Sequence, residues 1–163
     1  MLGRARRALP AWRSTLAGAA IWASTMGASA AFNLLRDHWE TPARIRLVIL
    51  LFALGGLLAF PTAIFLARLL SLGRGPEAAF AAAFTSLLAA TIGFTSGIYG
   101  LEYRAYYSEW HAPFPTRLWA NEFVFTVAAG VYQFAVLGIR MFFPVGFAAL
   151  FLAGIWFART QRR

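Results

Sequence analysis

The chain has 163 residues, of which 60% are hydrophobic and 13% charged, and its net charge is +9. Soluble domains carry roughly 25% charged residues, so this composition excludes an ordinary soluble domain and indicates a helical membrane protein. The absence of cysteine excludes disulfides, iron–sulfur clusters and a thiol nucleophile.

All basic residues are arginine, and they lie between apolar segments without forming a continuous basic stripe. This distribution is typical of residues that flank membrane spans and meet anionic lipid headgroups, and it argues against nucleic-acid binding. We interpret the arginine-only usage as that of a GC-rich bacterial genome, which predicts the bacterial cytoplasmic (inner) membrane.

The first apolar segment, 15–35, allows two interpretations. Several arginines precede it, and Ala28-Ser29-Ala30 has the small-residue pattern of a signal-peptide cleavage site. The apolar residues continue beyond that site to full membrane length. We therefore favour a retained transmembrane helix over a cleaved signal that covers residues 1–30.

The second apolar segment, 47–67, is uncharged and would make a helix of about 30 Å, the thickness of the hydrocarbon core. Gly55-Gly56 and Pro61 lie within it and predict a kink one turn before the proline. Transporters use such breaks as hinges, but proline and glycine are also common in membrane helices.

The third apolar segment, 77–101, follows a turn rich in glycine, with Pro76 suited to the first helical position. Small residues recur alternately four and three positions apart in this segment and in the first one. We expect each set to form a seam for close helix packing. The two predicted seams are Ala79, Ala83, Ser86, Ala90, Gly93 and Gly97, and Ala17, Ala20, Ser24, Gly27 and Ala31.

The last apolar stretch, 118–158, would reach about 60 Å as one helix, twice the membrane core. Gly138, Arg140 and Pro144 predict a break, which gives spans at 118–139 and 143–158. The fold prediction is thus a single all-α domain, 1–163, with five transmembrane helices. Its N-terminus is predicted to be cytoplasmic, because arginines flank the first helix. A four-span arrangement is the alternative, and the distribution of arginines favours it.

Two polar connections, 36–46 and 102–117, follow the first and third helices, so they are predicted to lie on the same side of the membrane. They contain both histidines and most of the acidic residues. Imidazole nitrogens and carboxylates at these positions make a candidate site for a divalent metal, the single cofactor that the sequence suggests. The candidate ligands are His38, Glu40, Glu109 and His111.

An alternative interpretation of the same residues is an interfacial aromatic belt. Trp39 and Trp110 stand between the histidines and glutamates, and aromatic rings favour the headgroup region. Glu122 and Gln133 are the polar candidates within the membrane region, where a polar side chain usually faces the bundle. We expect Glu122 to pair with Arg104 or Arg117, and Gln133 to make a hydrogen bond between helices.

The sequence contains no phosphate-binding loop, hydrolase motif or dinucleotide-binding motif. We therefore predict a non-catalytic accessory, scaffold or assembly subunit of an inner-membrane complex, whose partners are lipids and other membrane subunits or further copies of the chain. The alternative is a small transporter or channel. A water-accessible cavity that reaches Gln133 would favour that alternative.

Overall fold

The computed structural model describes residues 8–39 and 41–160, and no strand occurs within these ranges. A 3₁₀ turn, Ser108–Trp110, precedes the fourth helix. A π-helical turn, Phe134–Gly138, and a 3₁₀ turn, Ile139–Phe142, join the fourth helix to the fifth. The α-helices that lie wholly within the described residues are α1 (Trp12–Arg36), α2 (Pro42–Ser71), α3 (Pro76–Tyr106), α4 (Arg117–Gln133) and α5 (Val145–Thr160).

Local sequence signals explain where the helices begin. Pro42 and Pro76 occupy the first turns of α2 and α3, where a missing backbone N–H costs nothing. Thr116 caps α4, and its hydroxyl oxygen accepts a hydrogen bond of 3.0 Å from the backbone N–H of Trp119. The connection between α2 and α3 turns at Gly73, whose φ of +72° suits glycine.

Three helices of the described chain are long and apolar enough to cross a bilayer: Pro42–Ser71, Pro76–Tyr106 and Arg117–Phe142. This supports an all-helical, membrane-embedded protein. The prediction of five spans is not confirmed by this measure. Helix α1 is less apolar on average than those three helices, and α5, with 16 residues, is shorter than they are.

The Gly55-Gly56 pair lets α2 approach a different neighbour on each side. A Cβ atom added to Gly55 would lie 2.7 Å from the Cα atom of Thr95 on α3, and one added to Gly56 would lie 3.0 Å from Met26 on α1. Both glycines are buried, and α2 continues without interruption through Pro61. The pair therefore serves close helix packing on two sides.

The predicted seam on α3 is correct in its first half and wrong in its second. Ala79, Ala83 and Ser86 are buried, but Gly93 is exposed and has open space around the position of a Cβ atom. The buried stripe continues instead through Thr91 and Thr95. A spacing of 3.5 residues drifts around a straight helix of 3.6 residues per turn, and this drift carries the later small residues out of the contact.

The predicted seam on α1 is displaced around the helix. Ala17, Ala20 and Ser24 are exposed. The buried face follows the larger side chains Trp22 and Met26, and the Trp22 indole N–H donates a hydrogen bond of 3.0 Å to the Thr91 hydroxyl on α3. Small residues share this buried face, and Gly27 of the predicted seam lies close to Ala53 and Ile49 on α2, so the predicted seam on α1 is correct at Gly27 alone among these four positions.

The helix bundle has two ends. The loop end carries the α1–α2 and α3–α4 connections, 37–41 and 107–116. The terminal end carries the first described residues, the α2–α3 turn and the end of α5. At the terminal end the Arg68 guanidinium donates to the Leu9 carbonyl at 3.3 Å, and residues of both chain ends line one shallow cavity.

The break between α4 and α5 lies at the loop end. Asp37, just after α1, pairs with Arg140 at 3.3 Å. The five-span arrangement instead places residues 138–142 on the opposite side of the membrane from the 36–46 connection. In the structure the break after α4 thus lies beside the α1–α2 connection, and the five-span arrangement stays unconfirmed.

Side chains of α1 hold the break in place. The Ser29 hydroxyl donates to the Met141 carbonyl at 2.8 Å and accepts from the Gly146 N–H at 3.1 Å. The Asn33 amide donates to the carbonyls of Met141 and Phe143 at 3.1 and 2.9 Å. Backbone groups freed where the helix unwinds thus find partners on α1, as a buried segment requires.

Helix α4 crosses α3 steeply. Arg104 lies over the ring of Trp119, and five residues earlier on α3 the ring of Tyr99 contacts Phe134. Residues 99 and 104 are about 7.5 Å apart along α3, whereas their partners, residues 119 and 134, are about 22 Å apart along the other segment. The second segment therefore runs across α3 rather than alongside it. The crossing is close because Gly100 and Gly130 face each other, and a Cβ on Gly130 would lie 2.9 Å from the Gly100 Cα.

Candidate functional site: a polar pocket at the loop end

The last two turns of α3 present a stripe of polar and aromatic side chains. The stripe has the spacing of one helical face, with members three and four positions apart. The sequence predicts that this helix ends at residue 101, but the helix continues to Tyr106, so most of the stripe is helical. Its members are Tyr99, Glu102, Tyr103, Tyr106 and Tyr107.

A cavity of about 390 Å³, the polar pocket, lies between this stripe and the first turns of α2. Helix α2 contributes Arg44 and an apolar wall that contains Leu47 and Leu51. Trp39 lines the pocket from the α1–α2 connection, and Gln133 lines it from α4. The volume is within the range of small-molecule sites, about 300–1,000 Å³.

The aromatic rings at the mouth pack against one another and hold Arg44. The ring centroids of Tyr103 and Tyr107 are 4.9 Å apart, and those of Tyr106 and Tyr107 are 5.0 Å apart. The Arg44 guanidinium lies 5.1 Å from the centroid of Tyr106, a cation–π contact. Trp39, Tyr106 and Tyr107 are exposed, so the pocket opens at the loop end.

Gln133 places a polar group deep in this pocket. Its Oε1 atom is buried and accepts no hydrogen bond from the part of the chain that the structure describes. The next residue, Phe134, is 1% exposed and starts the π-helical turn. Phe134 packs with Phe52 and Phe142, at centroid distances of 6.0 and 6.2 Å, in an aromatic cluster next to Gln133 in the chain.

His38 has a backbone role at the end of α1. It adopts φ of +52°, and the backbone N–H of Trp39 donates to the Leu34 carbonyl at 3.1 Å. The His38 N–H donates to the Leu35 carbonyl at 3.2 Å. These bonds form a Schellman motif, in which His38 occupies the left-handed position that usually carries glycine.

The other candidate metal ligands occupy separate surroundings. Glu109 is exposed in the 3₁₀ turn, and the His111 Nε2 atom lies 3.3 Å from the Thr126 hydroxyl on α4. Glu40 lies outside the described residues. Within residues 8–39 and 41–160, no group of three or more His, Cys, Asp or Glu side chains is arranged to hold a metal ion. The metal site stays a prediction, and the described residues contain no set of three ligands that supports it.

Glu122 has a structural role in the α3–α4 connection. Its carboxylate accepts a hydrogen bond of 2.8 Å from the backbone N–H of Ala112. The predicted ion pair with Arg104 or Arg117 is not among the ion pairs of the described residues. Arg104 instead packs over the rings of Trp119 and Phe123.

The sequence indicated Gln133 but not the pocket around it. Residues 102–117 were predicted to be a polar connection, not a continuation of α3. The signal was present in the spacing of Tyr99, Glu102, Tyr103 and Tyr106, which continues the helical period of α3. Only the partner surface on α2, which includes Arg44, required the three-dimensional structure.

Comparisons of the chain with models of protein families, with curated proteins and with solved structures found no match. The polar pocket and the packing of the helices therefore carry the functional argument.

Proposed function

We propose that the chain is a multi-pass protein of the bacterial inner membrane, with α1, α2, α3 and α5 crossing the bilayer and α4 lying near one surface. The support is the position of Arg140 beside Asp37. Helix α5 covers about 24 Å. The 3₁₀ turn before it adds about 8 Å, and together they match a hydrocarbon core of about 30 Å.

The orientation follows from the arginines. Nine of the 15 basic residues belong by sequence to the N-terminal segment, the 68–77 turn and the C-terminal segment, which this arrangement places on one side. Five of the six acidic residues belong to the other side. The positive-inside rule then puts the terminal end in the cytoplasm and the loop end in the periplasm.

The function that this geometry favours is reversible binding of a small polar ligand in the polar pocket, as in a small carrier. The single observation that carries it is the buried Oε1 atom of Gln133, which has no hydrogen-bond partner within the described residues and belongs to a residue that lines a pocket open at the loop end. A pocket with its mouth at the loop end suits a binding site exposed to that side of the membrane.

Access to Gln133 tests this function directly, because the chain has no cysteine of its own. A Gln133→Cys variant in right-side-out vesicles should react with a charged, membrane-impermeant maleimide added outside. Phe134→Cys is the matched control, and it should stay unlabelled because Phe134 is buried. A position 133 sealed from both sides would remove the proposed function.

The accessory-subunit function is the second candidate, and α4 supports it. Three large apolar residues recur seven positions apart along α4 and are exposed. They are Leu118 at 59%, Phe125 at 74% and Tyr132 at 72%. A heptad spacing of this kind suits contact with another membrane helix.

Native mass spectrometry after extraction in mild detergent tests the second candidate. A bound subunit or a second copy should be present with the natural chain and absent with Phe125→Arg. Leu152→Arg, at a position 67% exposed on α5, is the control and should retain the complex. A monomer in every sample would contradict this function.

A further inference from the structure

The polar pocket contains both signs of charge without neutralising them internally. Arg44 comes from α2 and Glu102 from α3, and no ion pair within 4.0 Å joins the two side chains. A ligand with one sign of charge would leave either the half-buried carboxylate of Glu102 or the exposed guanidinium of Arg44 without an opposite charge, and this is less favourable the more the group is buried. A ligand that carries both signs matches each of them.

The positive end of such a ligand has a defined place. Aromatic ring faces attract cations, and the position of the Arg44 guanidinium over Tyr106 demonstrates this attraction within the pocket. The rings of Tyr103 and Tyr107 stand on the same helical stripe as Glu102, so an ammonium group there meets ring faces and a carboxylate together.

Gln133 selects among ammonium groups. Its buried Oε1 atom accepts a hydrogen bond and has no donor within the described protein. A primary ammonium supplies three N–H donors, whereas a quaternary ammonium supplies none. The negative end of the ligand then lies towards Arg44, whose planar guanidinium binds phosphate or carboxylate oxygens well.

From these contacts we propose that the polar pocket binds a zwitterion with a primary ammonium group and a phosphate or carboxylate group a few bonds away. The inference rests on the proposed ligand-binding function and specifies its ligand class. Two sources supply this chemistry: a free molecule in solution, such as 2-aminoethyl phosphate, and the headgroup of an ethanolamine phospholipid.

Calorimetry on the full chain in nanodiscs free of ethanolamine lipid tests the ligand class. The probes are 2-aminoethyl phosphate, ethanolamine alone, methyl phosphate alone and phosphocholine. We expect 2-aminoethyl phosphate to bind at least tenfold more tightly than each of the other probes. Glu102→Gln and Arg44→Gln should each weaken the binding of 2-aminoethyl phosphate at least tenfold. Glu109→Gln, at an exposed position at the same end of the bundle, should leave its affinity unchanged.

Equal binding of the zwitterion and its halves, or unchanged binding in both pocket variants, would overturn the ligand class. If position 133 nevertheless reacts with the maleimide, the pocket remains a ligand site and only the class is wrong. If position 133 is sealed as well, the proposed function fails with it.

A second arm separates the two sources. In nanodiscs that contain phosphatidylethanolamine, a lipid headgroup in the pocket should compete with 2-aminoethyl phosphate and weaken its apparent affinity, and native mass spectra should show retained lipid that Glu102→Gln loses. Unchanged affinity would assign the pocket to the free molecule.

Discussion

Asp37 and Arg140 form an ion pair of 3.3 Å that joins the end of α1 to the turn after α4. Both side chains are partly exposed, so the pair contributes at most about 1 kcal/mol to stability. Its importance is topological, because in a five-span arrangement these two residues would be separated by a membrane of about 30 Å.

A chemical crosslink tests this proximity in a chain without cysteine. We expect Asp37→Cys combined with Arg140→Cys to be joined by a short thiol-specific crosslinker, since the two side chains are in contact. Intact-mass spectrometry measures the product. Asp37→Cys with Arg159→Cys spans the bundle and is the control. Crosslinking of the control pair alone would contradict the structure.

The side of the C-terminus distinguishes four spans from five. With α4 near the periplasmic surface, a fluorescent protein fused after Arg163 should fold and fluoresce in the cytoplasm, and alkaline phosphatase fused there should be inactive. Phosphatase fused after Trp110 should be active. Activity of the C-terminal phosphatase fusion would restore the five-span arrangement.

Ser29 and Ser24 form a matched pair of positions for measuring how much the hydrogen bonds of Ser29 to the α4–α5 break stabilise the protein. Ser29→Ala removes the partner of the Met141 carbonyl and of the Gly146 N–H in a buried site, and we expect a loss of about 1–3 kcal/mol. Ser24 is exposed and bonds only the Ala20 carbonyl of its own helix, so Ser24→Ala should be nearly neutral. Thermal unfolding in detergent measures the stability of both variants. Equal melting temperatures would contradict a stabilising role for the Ser29 hydrogen bonds.

Gly55 and Gly93 separate close helix packing from lipid exposure. Gly55→Leu should destabilise the bundle by about 1–3 kcal/mol or more, because the added atoms meet Thr95 on α3. Gly93→Leu should leave the melting temperature within experimental error, because open space surrounds that position. A larger loss with Gly93→Leu would favour the seam expected from the sequence.

His38 offers a test of the Schellman motif. A left-handed conformation costs an ordinary residue roughly 1–2 kcal/mol, more when it is β-branched, whereas glycine adopts it freely. We therefore expect His38→Gly to raise the melting temperature slightly and His38→Val to lower it. The same effect from both substitutions would mean that the side chain, and not the backbone, determines stability here.

The sequence predicted the helices better than their arrangement. Prolines, glycines and apolar length located all five helices, because these signals are local. The position of the break after α4 was not predicted, since length alone does not distinguish a crossing helix from one that lies across the end of a bundle. Contacts between residues distant in sequence, such as those of Ser29 and Asp37 with the break, determine that position.

The same limit explains the site predictions. Gln133 was identified because a polar residue in an apolar segment is conspicuous. Arg44 was missed because its contact with Tyr106 joins two helices, and the proposed ligand role of His38 overlooked its backbone conformation. Residue type indicated where polar chemistry lies, but not which residues meet.

The hydrogen bond between Ser29 and Met141 spans 112 residues of chain, and this separation bears on biogenesis. Ser29 leaves the ribosome 112 residues before the carbonyl that its buried hydroxyl requires. Until then Ser29 and Asn33 need other partners, such as water, an insertion factor or the translocon. The arrival of α5 thus completes the bundle, and truncation before residue 141 would leave α1 as a polar, incompletely packed helix open to quality-control proteases.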